Sequence, residues 1–210
     1  MINILIADDH SVVRAGLKQI ISGRKDMVVL DEAVNGAQAL DKLSKQNFTI
    51  AVLDISMPVK NGLDTLKEIK REHPNFPVLI LSMYPEDQYA IRVFRAGADG
   101  YLTKESAPEE LVNAILTVSK GKKYISASMA ERLAVQLSFS SDKPLHETLS
   151  DREYQILCMI ASGKTVGQIA EELFLSVKTV STYRGRILEK MHLKNNAELT
   201  SYAIQNHLVD

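Results

Sequence analysis

Five side chains spread over the first half of the chain have the types needed to act together on a phosphoryl group. Asp8 and Asp9 close the apolar run Ile2-Asn-Ile-Leu-Ile-Ala7. Asp54 closes Ile50-Ala-Val-Leu53, Ser82 closes Val78-Leu-Ile-Leu81, and Lys104 follows Gly100-Tyr-Leu102. A single Asp after such a run is an ordinary helix N-cap. Three carboxylates brought to one place are not explained that way, because like charges at short range resist joint ionisation unless a cation neutralises them. Hard oxygen donors of this kind suit Mg2+, which takes one or two carboxylates and keeps waters for a phosphate. An aspartate beside such an ion can attack phosphorus and form an aspartyl phosphate. A lysine ammonium and a serine hydroxyl would then stabilise charge on the transferring group.

The elements that must gather these residues are legible from period. With Met27-Val-Val-Leu30 there are five short apolar runs, and they are continuous rather than alternating. Such runs predict strands buried on both faces. Between them lie helical patterns such as Val12, Val13, Leu17, Ile20, Ile21 and Leu63, Leu66, Ile69. Strand–helix alternation implies a parallel sheet covered on both sides. Right-handed crossovers narrow this to a doubly wound, flavodoxin-like α/β fold. Ligands of such sheets sit outside the carboxyl ends of the strands, where the five residues stand.

The whole chain has 210 residues, 25 Lys+Arg against 26 Asp+Glu, and 45% apolar residues. That balance excludes a disordered charged tail and a uniformly cationic coat, and the length allows two small domains. Cys158 is the only cysteine, so an intrachain disulfide is excluded and a reducing compartment fits. There is no membrane-length apolar window and no basic segment before the first apolar run. The expectation is a cytoplasmic protein without a membrane partner. Composition predicts a domain over 1–121, a linker over 122–147 and a second domain over 148–210. Ser138-Phe-Ser-Ser-Asp-Lys-Pro144 reads as linker. Met129, Leu133 and Leu137 allow one linker helix.

The second domain reads as helical. Ser150 with Glu153 forms a capping box before Ile156, Leu157 and Ile160, and Gly163 ends that helix. Thr165 caps a short helix, Phe174-Leu175 makes a turn, and Ser176 caps the next helix. Two helices so joined read as helix-turn-helix. Asn196 is expected to cap a last helix. From Val177 to Lys194 stand Lys178, Arg184, Arg186, Lys190 and Lys194 against Glu189 alone. At about 100° per residue, Val177, Val180, Ile187, Leu188 and Met191 gather on one face. Lys178, Ser181, Thr182 and Gly185 lie opposite, the side a recognition helix offers to the major groove. Thr179 and Arg186 flank that side and suit phosphates. Arg184 points toward the core and is assigned no base contact. Lys164 and Thr165, at a helix N-terminus, suit a DNA phosphate. Gly185 has two readings, close approach of backbone to DNA or a tolerated small surface residue.

Two resemblances complete the reading. Asp8-Asp9, Leu53-Asp54-Ile-Ser-Met-Pro58, Gly62, Leu81-Ser82-Met and Tyr101-Leu-Thr-Lys104 resemble the receiver domain of two-component response regulators. That resemblance implies Asp54 as phospho-acceptor, with Asp8, Asp9 and the Ser56 main-chain carbonyl holding Mg2+. It implies Ser82 and Tyr101 as a switch pair, Tyr101 turning inward as Ser82 moves toward the phosphoryl group. Leu149-Ser-Asp-Arg-Glu153, Ile169-Ala170, Ser176-Val-Lys-Thr-Val180 and Ala197-Glu-Leu199 resemble the four-helix LuxR-type DNA-binding domain. Joined in this order they resemble the NarL/FixJ class. The implied partners are a sensor histidine kinase or phosphotransfer protein, promoter DNA, RNA polymerase and a second copy in an active homodimer. The implied chemistry is limited to phosphoryl acceptance and autodephosphorylation at Asp54.

One departure concerns the backbone. Many receivers carry proline after the site lysine, supporting a cis bond, whereas Glu105 stands here. A cis bond to a non-proline residue costs about 2.5–4 kcal/mol, so the loop is either trans or strained. Two rivals stay in view. A phosphohydrolase would need a general acid near Asp54, but Ser56 stands two positions on. An adaptor without DNA binding conflicts with the basic stripe.

Overall fold

Each apolar run forms a strand in a computed structural model of the chain, and each helical pattern between runs forms a helix. The order is β1 (Ile2–Ala7), α1 (Ser11–Ser22), β2 (Met27–Ala33), α2 (Gly36–Lys45), β3 (Ile50–Asp54), α3 (Gly62–Glu72), β4 (Val78–Ser82), α4 (Glu86–Arg95), β5 (Gly100–Thr103) and α5 (Ala107–Val118). A 3-10 turn (Leu145–Thr148) precedes α6 (Asp151–Ala161), α7 (Val166–Glu172), α8 (Val177–Lys190) and α9 (Asn196–Gln205). The structure describes residues 1–126, 130, 144–206, 208 and 209, with backbone alone at 87 and 88. The linker helix expected around Met129, Leu133 and Leu137 lies outside the described residues. The chain divides into two compact units. Among the described residues no helix is long and apolar enough to cross a membrane.

The strands pair in the order β2-β1-β3-β4-β5, every neighbouring pair parallel. The order reverses between β1 and β3, which opens a crevice at their carboxyl ends. Ile4, Ile6, Val52, Leu79, Leu81 and Leu102 form one cluster with Leu17 and Ile21 of α1 and with Leu111, Ala114, Ile115 and Val118 of α5. Leu5, Ala51, Leu53 and Ile80, one step out of phase, are equally buried. They belong to the other face, because successive strand side chains alternate. Two covered faces are why these runs are continuous.

The edge strand departs from expectation. The apolar run ends at Leu30, yet β2 continues through Asp31 and Glu32 to Ala33, paired with Leu5, Ile6 and Ala7. An edge strand has solvent on one side, so charged residues are tolerated there. Lys42 reaches Asp31, and Arg14 and Lys18 reach Glu32. At the opposite edge, Tyr124 bridges to Gly100 of β5 and its N–H donates to Asp99 O at 2.8 Å.

The second unit is built on capped helices. Ser150 and Glu153 form the expected capping box, and Thr165 with Gln168 forms another. Ser176 accepts from Thr179 N at the start of α8. The last cap is Asn195 rather than Asn196; its side chain accepts from Glu198 N at 3.0 Å. Asn196 instead holds the Arg184 guanidinium, 2.6 Å from Nε. Helix α6 is buried all round from Glu153 to Ala161, not on one side only. Its neighbours α7, α8 and α9 surround it, which a one-helix pattern could not express.

Gly62 fixes the turn at the site. Its N–H donates to Ile55 O at 3.0 Å, and an added Cβ would lie 2.0 Å from the Asp54 carbonyl oxygen. Only hydrogen fits there. Gly62→Ala is therefore expected to destabilise the protein by about 3 kcal/mol in urea unfolding. A loss below about 0.5 kcal/mol would contradict this packing.

Candidate functional site

The site is an acidic cluster at the carboxyl ends of β1, β3 and β5. Asp54 and Ser82 are the last residues of their strands, so the ladder fixes their backbones. Asp8 lies one residue beyond β1, its N–H donating to Ala33 O at 3.1 Å. Lys104 lies one residue beyond β5, its N–H donating to Ser82 O at 2.7 Å. Asp8, Asp54 and Ser82 are buried; Asp9 is nearly so.

Lys104 Nζ stands 2.7 Å from Asp8 Oδ2 and 3.0 Å from Asp54 Oδ2. One ammonium thus pairs with two of the three carboxylates. Burial alone would lower the Lys104 pKa, but Asp54 and Asp8 outweigh it and hold it above the usual lysine value. Burial pushes the Asp54 carboxyl up to about 6, opposed by Lys104 and aided by the negative charges of Asp8 and Asp9. Asp8 Oδ2, Asp9 Oδ1 and Asp54 Oδ2 are buried and form no well-aligned hydrogen bond, although the ion-pair distances to Lys104 are short. One ligand atom from each of Asp8, Asp9, His10 and Asp54 lies within 4.8 Å of the others. Buried hard oxygens in negative excess fit a divalent cation.

Ser82 and Tyr101 meet through Tyr84. Ser82 Oγ accepts from Tyr84 N at 3.1 Å, and Tyr101 Oη donates to Tyr84 O at 2.8 Å. Tyr101 is buried and turned inward. Burial holds its phenol above the usual range, and the Ser82 hydroxyl partly offsets this. Ser56 lies in the β3–α3 turn with its hydroxyl 3.4 Å from Tyr84 Oη. The Lys104–Glu105 bond is trans, since no described peptide bond is cis.

Sequence reasoning missed three contributors. His10 stands at the N-cap of α1 and turns its ring to the acids; adjacency to Asp8 and Asp9 was the available signal. Arg14 Nη1 donates to Asp8 O at 2.8 Å, and Tyr84 joins Ser82 to Tyr101. Neither carries a local pattern.

On α8, Val180, Ile187 and Met191 are buried, and Lys178, Ser181, Thr182, Gly185 and Arg186 are exposed. Thr179 is half-exposed beside Ser176. Val177 was expected inside but is 55% exposed. A wheel fixes angle and says nothing of how far along the axis the core extends. An added Cβ at Gly185 meets nothing within 4 Å, so internal packing does not require glycine there. Thr182 Oγ1 donates to Lys178 O at 2.9 Å. Lys164 pairs with Glu172, and the Thr165 hydroxyl serves its own helix cap, so both already have local partners.

An acidic cluster on a doubly wound sheet is thus followed in the chain by a helix-turn-helix unit. Residues 4–116 match the response regulator receiver domain, and residues 147–203 match the bacterial regulatory proteins of the luxR family. The oxygen regulatory protein NreC of Staphylococcus carnosus (strain TM300) is 37% identical over 99% of this chain and 99% of that one. RcsB from Salmonella enterica serovar Typhimurium, solved on a promoter with the phosphomimetic BeF3-, is 28% identical over 96% of this chain and 97% of that one, with a TM-score of 0.60. A structure of two RcsB dimers on two parallel DNAs is 26% identical, covering 100% of this chain and 99% of that one, at a TM-score of 0.59. This chain belongs to the DNA-binding response regulators of two-component systems, in the LuxR-type, NarL/FixJ class.

The buried acid has a measurable consequence. The folded-state value for Asp54, about 6, lies above the ordinary 3.8, so the protonated carboxyl favours the fold. That contribution is complete below the ordinary value and is lost as pH rises through the folded value. In chelator at about pH 8, neutral Asp54→Asn is expected to exceed the wild type in stability by about 3 kcal/mol. The gap should close as pH falls toward about 4. Equal urea midpoints at both pH values would refute the burial effect.

Proposed function

We propose that Asp54 carries a phosphoryl group and that its phosphorylation controls DNA binding by the second domain. The observation that carries this reading is the cluster of buried carboxylates of Asp8, Asp9 and Asp54 beside Lys104 at the β1–β3 crevice. RcsB, captured on DNA with a phosphomimetic, supports it.

In this reading a sensor histidine kinase, a phosphotransfer protein or a small phosphodonor presents a phosphoryl group to Asp54. A carboxylate oxygen attacks phosphorus in line and the aspartyl phosphate forms as the bond to the donor breaks, releasing the imidazole of a phosphohistidine or the carboxylate of an acyl phosphate. Asp8, Asp9, Asp54 and the Ser56 main-chain carbonyl would hold Mg2+, which neutralises charge on the transferring group when bound. Lys104 offsets negative charge on the phosphoryl oxygens, and Ser82 donates its hydroxyl to one of them. Tyr101 is the switch partner of Ser82, the two meeting at the Tyr84 backbone. Reversal is hydrolysis at the same Asp54, so the chemistry is that of a regulator with autodephosphorylation. Transfer from acetyl phosphate with Mg2+ is expected in the wild type and absent in Asp54→Asn. Retained labelling would move the acceptor elsewhere.

The phosphorylated form acts as a homodimer on paired half-sites in promoter DNA and works through RNA polymerase. RcsB dimers on DNA support the dimeric form. Ser181, Thr182, Lys178 and Gly185 face the major groove, and Thr179, Arg186, Lys164 and Thr165 approach phosphates. Lys164 and Thr165 would first have to leave their partners Glu172 and Gln168. Ser181→Ala and Thr182→Ala are expected to alter preference among sequences, by about 1–3 kcal/mol per affected base pair. Arg186→Ala should weaken binding to all sequences alike and reduce the salt slope by about 1. Unchanged preference and slope would discredit this orientation of α8.

A further inference from the structure

We infer that Val177 is a base-reading residue of α8 and that it reads thymine through the C5 methyl group in the major groove. The inference rests on the reading that α8 enters that groove, and it adds an apolar contact to the polar face already described.

Val177 is the first residue of α8, directly after the cap Ser176. Its angle on the helix places it toward the core, yet it is 55% exposed. The packing of the helix start does not need it. Leu175 and Val180 stand one residue before and four residues after the cap, the two positions that pack across a helix start. Val180 is buried and Leu175 half-buried. Valine is also a weak helix former, so propensity does not favour it at an exposed position.

Phe174 stands on the other side of the cap. It is 65% exposed, and its backbone is left-handed, with φ at 54°, where α7 ends and Leu175 N donates to Ala170 O at 2.8 Å. Glycine or asparagine would take that conformation with less strain. Among the described residues of the second unit, the exposed large hydrophobics are Leu145, Phe174, Val177 and Ile204. Two of these four flank Ser176. Single exposed apolar residues need no explanation, but two at one corner of a helix-turn-helix mark a contact surface.

Charge selects what that surface meets. The first turn of α8 holds no acid, although the helix dipole favours one there. Lys178 follows Val177 directly, and Arg186 lies two turns on; both are exposed. A polyanion is attracted to such a corner. Duplex DNA is a polyanion that also offers an apolar group, since thymine carries a C5 methyl in the major groove. Val177 and Ser181 are neighbours at i and i+4, so Val177 continues the Ser181 row toward the amino end of α8. Recognition helices reach base edges from that end.

The test uses the full-length protein with acetyl phosphate and Mg2+. A preferred duplex is selected from a random pool, and each thymine is then replaced singly by deoxyuracil, which removes only the methyl group. For the wild type, one thymine in each half-site is expected to lose about threefold or more in affinity on replacement. In Val177→Ala the same replacement should cost less than about 1.5-fold, and Val177→Ile should restore the loss. The wild type and Val177→Ala should bind the uracil duplex alike, which also shows that the variant is folded. A methyl effect of equal size in the wild type and Val177→Ala, or absent at every thymine of a duplex that is still preferred, would overturn the role of Val177 and leave α8 in the groove. A wild type that selects no sequence, phosphorylated or not, would refute the placement of α8 itself.

Discussion

Lys104 sets one positive charge between Asp8 and Asp54, beside a third carboxylate at Asp9, and much of the receiver unit exists to hold that imbalance. The acids come from β1 and β3, the ammonium from the end of β5, the hydroxyl from β4. In water such a cluster would disperse. Here the carboxylates sit on the rim of a sheet covered on both faces, where charges are poorly solvated and interact strongly. The raised value of Asp54 is the visible cost of this arrangement. A bound cation would relieve it, which is why an acid pocket that is unfavourable alone is suited to capture charge.

The surrounding backbone leaves little slack. Gly62 lets the β3–α3 turn pass against the Asp54 carbonyl. Arg14 pins the Asp8 carbonyl while Glu32 holds the same guanidinium. Tyr84 receives the Tyr101 hydroxyl on its carbonyl and gives its N–H to Ser82, and its ring stacks on Tyr89 at 4.6 Å. Ser82 is thereby linked through Tyr84 to Tyr101 of β5 and to Tyr89 of α4. Beyond α5, Tyr124 and Ser126 bond Glu110 and Glu86, closing that side of the unit.

The second unit relies on different physics. Its helices are short, and each begins with a side-chain cap that satisfies otherwise orphaned N–H groups. Glu153 is buried yet accepts from Ser150 and from Lys190 at 2.7 Å, and these bonds hold its carboxyl below the usual value against the opposing effect of burial. Packing around α6 presents the polar side of α8 to solvent.

Periodicity and strand-end chemistry determined much of this protein. Continuous apolar runs told of a sheet covered twice, and Asp8, Asp9, Asp54, Ser82 and Lys104 were named from position alone. The caps at Ser150, Thr165 and Ser176 were legible because capping is local. What sequence left open is non-local. The extension of β2 through Asp31 and Glu32 depends on its being an edge strand, and the exposure of Val177 on how far the core reaches along α8. The joining of Arg14 to Glu32 and of Tyr84 to Tyr101 arises from contacts between segments that no single short window contains. Sequence decides which groups are present and which face they share. Tertiary structure decides the distances among them, and electrostatic and ligand interactions depend steeply on distance and burial.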